Sequence, residues 1–98
     1  GLNPNNDGKV VRLNIPSLTD ERREELTKVV KKTAEEGRVA VRAARHEAIE
    51  AVKKLEKSKL VDEDQSHAAQ KEIQKATDKH VAEVEAALKS KETEIHAI

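Results

Sequence analysis

Pro16 is the last proline of the chain, and from Thr19 to about Leu60 the only glycine is Gly37. Over that span apolar or small residues recur at Leu26, Val30, Thr33, Gly37, Ala40, Ala44, Ala48, Ala51 and Leu55. This is the repeat of an amphipathic helix. It predicts about eleven turns, roughly 60 Å at the helical rise. Thr19 is a good N-cap, and Asp20 and Glu21 fall in the first turn, where the helix dipole favours anions. Gly37 should cost about 1 kcal/mol against Ala. Its place on the stripe points to close approach of a neighbouring helix.

The segment "VDEDQ" interrupts the pattern. Asp62 with Gln65 three residues later is a capping-box signature. A second helix is predicted from about Glu63 to about Ala97, with its stripe at Ala69, Ile73, Thr77, Val81, Val84, Leu88 and Ile95. Two long helices joined by a few residues must lie antiparallel. Their shared seam has only Leu, Ile, Val and Ala to work with, because the chain has no Phe, Tyr, Trp, Met or Cys. Aromatic side chains usually bring the largest blocks of buried area. Residues off the facing line, such as Val29, Val41, Val52 and Ile73, are expected to stay wet. The hairpin therefore asks for a third helix, from elsewhere in a longer chain or from a second copy.

The segment before Pro16 makes a similar demand. Residues 1–8 are turn chemistry, with Asp7-Gly8 as the turn signal. In "KVVRLNI", Val11, Leu13 and Ile15 alternate with Arg12 and Asn14, the pattern of a half-buried strand. A lone strand cannot satisfy its own backbone groups, so its sheet partners belong to a part of the protein beyond these residues. An opening inside a turn, without an initiator Met, reads as a piece of something longer; a processed terminus reads the same way. The fold class is mainly α: a long antiparallel hairpin preceded by a short β-strand remnant.

The charges offer little at the level of totals. Lys and Arg number 19, Asp and Glu also 19, so only their local arrangement can choose a partner. Without cysteine there is no disulfide framework, thiolate metal site or cysteine nucleophile. No apolar run approaches the ~20 residues of a membrane span. Within "RVAVRAARHEA", Arg38, Arg42 and Arg45 recur at spacings of four and three and share a helix side with Lys31. Guanidinium groups present a donor fork that matches phosphate oxygens and stay charged at any working pH. RNA helices are read mainly through shape, phosphate and 2′-OH. The row is therefore a candidate phosphate-binding stripe. It is equally a solvated face whose arginines pair with acids such as Glu35 or Glu47.

Among the four histidines, His46 and Glu50, and Glu92 and His96, pair across one turn, but a metal site needs three or four convergent ligands. His80 borders the second stripe and is expected to be partly buried and hydrogen-bonded. No nucleophile–base constellation and no Gly-rich phosphate loop is present. Acidic pairs such as Glu24–Glu25 are solvated. No enzyme, cofactor, metal or small-molecule substrate is expected.

Several blocks together resemble one family. "GLNP", a short strand, "IPSLTDERREELTKVV", "AEEGRVAVRAARHEA" and "SKETEI" match the ribosome recycling factor family in order, spacing and type along essentially all 98 residues. The resemblance implies an L-shaped, two-domain translation factor. One arm is a three-helix bundle, and a small β-rich domain is inserted between its first and second helices. With elongation factor G such factors split post-termination ribosomes, the bundle arm lying on large-subunit ribosomal RNA.

On that alignment residues 1–15 are a remnant of the β domain, and Pro16, Ser17 and Leu18 form one of two hinge strands. Residues 19–98 are the second and third bundle helices. The first helix and most of the β domain have no counterpart. Arg42 and Arg45 match positions the family uses on ribosomal RNA, and Arg23 in the "ERR" block is carried over the same way. Where family members commonly carry two consecutive arginines this chain has Arg45-His46, and Ala43-Ala44 stand where an Asn and a large aliphatic residue are usual. The implied place of action is the bacterial cytoplasm, or else a plastid or mitochondrial matrix. The reading of a different class is a non-enzymatic hairpin scaffold that associates through its apolar seam.

Overall fold

The computed structural model describes residues 18–97. The predicted strand, and Pro16 and Ser17 of the expected hinge, lie outside the described residues. Two helices make up the rest: α1 (Asp20–Lys57) and α2 (Glu63–Ala97). They form an antiparallel hairpin, and the described residues extend over 67 × 28 × 16 Å.

Each helix end is fixed by local chemistry. The Thr19 side chain accepts a hydrogen bond from the Arg22 amide at 3.0 Å, which satisfies one of the orphan donors of the first turn. At the start of α2 the capping box closes in both directions. The Gln65 amide donates to Asp62 Oδ1 at 2.7 Å, and the Asp62 amide donates to Gln65 Oε1 at 2.9 Å.

The first helix stops at Lys57, a few residues before the expected Leu60, because the chain turns into a Schellman cap. Lys59 takes φ 62°, the left-handed region. Its amide bonds the Glu56 carbonyl at 2.9 Å, and the Leu60 amide bonds the Leu55 carbonyl at 3.0 Å. Both bonds satisfy carbonyls left open at a helix end. A glycine would have announced this stop in the sequence; a lysine does not.

On α2 the predicted stripe is the one that faces α1. Thr77 and Ile95 are buried, and Ala69, Ile73, Val81, Val84 and Leu88 are half-buried. On α1 the predicted stripe holds at Leu26, Val30, Gly37 and Ala48, which are half-buried, and elsewhere the contact line lies about one residue further on. Ala34 is buried, Arg38, Val41, Arg45 and Val52 are half-buried, and Thr33, Ala40, Ala44, Ala51 and Leu55 are exposed.

The rotation has a visible cause. Bonds from α1 cations to Glu85, Gln74 and Glu92 of α2 draw the seam toward the arginine side. Val41, Val52 and Ile73 thereby gain partial cover that strict facing would have denied them, while Val29 stays 60% exposed. Gly37 meets α2 as expected: a Cβ placed there would lie 3.6 Å from Val84 Cγ2, an ordinary packing distance.

The cover is thin. Among the described residues the apolar side chains that reach full burial are Ala34 and Ile95. One flank of the hairpin is an open apolar groove. At one level it is lined by Val29, Val30, Gly37, Val84, Ala87 and Leu88, and nearer the turn by Val41, Ala44, Ala48, Ile73 and Ala76 with Arg45 at its edge. His80 sits at the groove rather than in a core. It is exposed, with Nδ1 3.0 Å from Glu83 Oε1.

Candidate nucleic-acid interface

The cations of α1 gather toward the flank opposite the groove, with Arg45 on the contact line and bordering both sides. The structure gives them different surroundings.

Arg38 is held by carboxylates from both helices. Its Nε donates to Glu35 Oε1 at 2.9 Å and its Nη1 to Glu85 Oε2 at 2.7 Å, and its side chain is 18% exposed. The hydrogen bond donated to Glu35, then that donated to Glu85, raises the guanidinium pKa above its ordinary value. Arg38 therefore clamps α1 to α2 with its charge compensated. Lys31 stands 4.0 Å from Glu92 of α2, a looser version of the same pairing.

Arg45 is held differently. Its Nε donates to the side-chain oxygen of Gln74 at 2.7 Å, a neutral acceptor. The Gln74 amide nitrogen in turn donates to Asp78 Oδ1 at 2.9 Å. Arg42, one helical turn before Arg45, is exposed and makes no ion pair among the described residues. Both arginines line one open cleft with Gln74, Thr77, Asp78 and Val81. Two guanidinium groups at one cleft, neither tied to a carboxylate, can take phosphate oxygens through paired N–H donors.

Arg23 lies near the start of α1, its side chain 28% exposed and its Nη1 3.5 Å from Asp20 Oδ1. It borders a polar crevice with Asp20, Thr27, Lys28, Lys31 and His96. The structure thus brings Arg42 and Arg45 to one cleft, gives Arg38 and Lys31 to the interhelix clamp, and leaves Arg23 at the far end of the rod.

The α2 residues that decide these roles, Gln74, Asp78 and Glu85, were not singled out from the sequence. A signal existed: in an antiparallel hairpin, residues nearly equidistant from the turn face each other, and Gln74 and Arg45 are nearly equidistant from Lys59. Among the described residues no group of three His, Asp or Glu side chains gathers to hold a metal. No helix among them is long and apolar enough to cross a membrane.

Comparison with known proteins gives the family. The family profile for ribosome recycling factor matches residues 1–95. A ribosome-recycling factor of Alkaliphilus metalliredigens is 59% identical over 95 residues, covering 97% of this chain and 51% of the relative. Those of Symbiobacterium thermophilum and Prochlorococcus marinus are 58% and 53% identical, with 51% and 52% of the relative covered. The chain spans about half the length of the curated relatives it matches. A match over nearly every residue, at these identities, shows that the chain belongs to the ribosome recycling factor family.

Proposed function

We propose that this chain is the bundle-arm portion of a ribosome recycling factor and that Arg42 and Arg45 bind backbone phosphates of large-subunit ribosomal RNA. The observation that carries this reading is the shared cleft, where two guanidinium groups stand without a carboxylate partner among the described residues. Arg38 and Lys31 contribute to the same reading as struts that keep the two helices in register. Arg23 extends the cationic flank toward the hinge end. In a full-length factor this arm lies on the large subunit while elongation factor G acts with the rest of the molecule, and post-termination ribosomes are split. Residues 1–15 belong to the β domain, and Pro16, Ser17 and Leu18 let that domain change its angle to the rod. The apolar groove takes the first bundle helix, which the other half of the family's length supplies. The bacterial relatives support a cytoplasmic place of action.

Binding to purified large ribosomal subunits over a range of salt concentrations tests the proposal. Each phosphate neutralised contributes about −0.7 to −0.9 to the slope of log K against log salt. The expected slope corresponds to at least two phosphates and shrinks on Arg42→Ala or Arg45→Ala. The open groove favours one rival, a scaffold that associates through its apolar flank. That rival gives no salt-dependent affinity for the subunit.

A further inference from the structure

The stripe of arginines contains two ways of holding a guanidinium, and the difference lies in the partners. Arg38 is tied to two carboxylates. Arg45 is tied to one amide, which is itself tied to a carboxylate one turn further along α2. We propose that Gln74 and Asp78 are positioning residues for Arg45: they fix its guanidinium in the cleft without neutralising it, so that an RNA backbone phosphate can engage its terminal nitrogens. The proposal rests on the phosphate-binding reading of Arg45 given above.

Donor and acceptor chemistry makes the relay directional. A guanidinium can only donate and an ionised carboxylate can only accept, whereas a glutamine amide does both. With Arg45 on one side and Asp78 on the other, the Gln74 amide has one orientation that satisfies both bonds: oxygen toward Arg45, nitrogen toward Asp78. The spacing supports this, since residues four apart on a helix are neighbours on its surface. Gln74 occupies only the Nε–H of Arg45. The four N–H donors on Nη1 and Nη2 remain, and they form the fork that suits a phosphate.

A glutamate at position 74 would hold the same nitrogen, but it would compensate the charge and be repelled by Asp78. A neutral acceptor fixes the side chain and leaves the positive charge for the ligand. By its own charge Asp78 opposes phosphate binding. Its contribution is the bond that orients Gln74.

The experiment is a double-mutant cycle on the 98-residue chain, read as affinity for purified large ribosomal subunits and as the salt slope of that affinity. Gln74→Ala frees a long side chain that the RNA must then order, which is expected to weaken binding about three- to tenfold. The same change in an Arg45→Ala background is expected to do nothing further. Gln74→Glu keeps the size and helix preference, and is expected to lower the salt slope by about one phosphate's share, roughly 0.7 to 0.9. A carboxylate near the RNA lowers the slope by itself, so the positioning role is read from the difference: Gln74→Glu is expected to lower the slope less in the Arg45→Ala background. Gln74 is exposed, so the thermal melt should stay in place for both variants.

If Arg45→Ala weakens binding while Gln74→Ala and Gln74→Glu leave affinity and slope unchanged, the positioning role is overturned and the phosphate reading stands. The role is also overturned if Gln74→Ala costs as much without Arg45 as with it. If Arg45→Ala itself changes nothing, the phosphate reading fails, and the relay with it.

Discussion

Arg38 Nη1 donates to Glu85 Oε2 at 2.7 Å, which ties the middle of α1 to the middle of α2. Arg42 and Arg45 lie within two turns of that clamp yet face a cleft. The consequence is a split in phenotype along one stripe. Arg38→Ala is expected to lower the melting temperature of the hairpin and to weaken subunit binding only in proportion to the loss of folded chain. Arg45→Ala also removes the bond to Gln74, and is expected to cost far more in binding than in melting. Well-made charge-assisted hydrogen bonds to phosphate are worth about 1.5–3 kcal/mol, so the binding loss should reach tenfold or more. Lys89→Ala, on the exposed surface of α2, is the control and should change neither quantity much. Equal binding losses at Arg45 and Lys89 would reduce the stripe to nonspecific electrostatics.

The turn supplies a second test. Lys59 sits at φ 62° inside a Schellman cap. A non-glycine residue in the left-handed region costs roughly 1–2 kcal/mol, and glycine avoids that at some entropic cost in the unfolded chain. Lys59→Gly should therefore raise the stability of the hairpin by about 0.5–1 kcal/mol in urea unfolding. The opposite sign would mean that the lysine makes a compensating interaction at the turn.

How much of this was legible beforehand can be read from particular residues. Thr19, Asp62 and Gln65 cap the helices as their sequence context requires, because capping is local and each bond spans three residues. The α2 stripe was legible because its apolar residues recur on one face. The α1 contact line was legible at Leu26, Val30, Gly37 and Ala48, but apolar residues one position further on, such as Val41 and Val52, offered a second line. What chose between them was cross-chain pairing, Arg38 with Glu85 and Arg45 with Gln74, and no local pattern encodes a contact across the hairpin. The same gap explains the stripe of arginines. Spacing put Arg38 and Arg45 on one side, but only the opposite helix shows that one is neutralised and the other is not.

Gly37 offers a third test, at the position where the helices come close. A Cβ there would stand 3.6 Å from Val84 Cγ2 and 3.9 Å from Val84 Cγ1, both ordinary contacts. Gly37→Ala should then stabilise the isolated chain by about 1 kcal/mol through helix propensity alone. A destabilised variant would show that Val84 cannot hold its place when a methyl group is added beside it.

The open groove sets the last prediction. Val29, Val30, Val84 and Leu88 line it, and Val29 remains 60% exposed. Fully burying a Val or Leu side chain is worth about 1.5–3 kcal/mol, and a small domain is stable by only about 5–15 kcal/mol in total. Several such side chains left half-wet therefore forfeit an amount comparable to the whole. The isolated 98-residue chain should melt broadly and bind a hydrophobic dye. It should also associate as its concentration rises through the micromolar range in sedimentation. Val29→Glu places a charge at the groove and should reduce both dye binding and association while leaving helix content unchanged. On the proposal that the family's first bundle helix fills this groove, a synthetic peptide carrying that helix should suppress the association and sharpen the melt. If the peptide changes nothing while the association persists, the groove is occupied by a second copy instead. A sharply melting monomer that binds no dye would mean that Ala34, Val41, Thr77 and Ile95 alone provide enough cover for the hairpin to stand by itself.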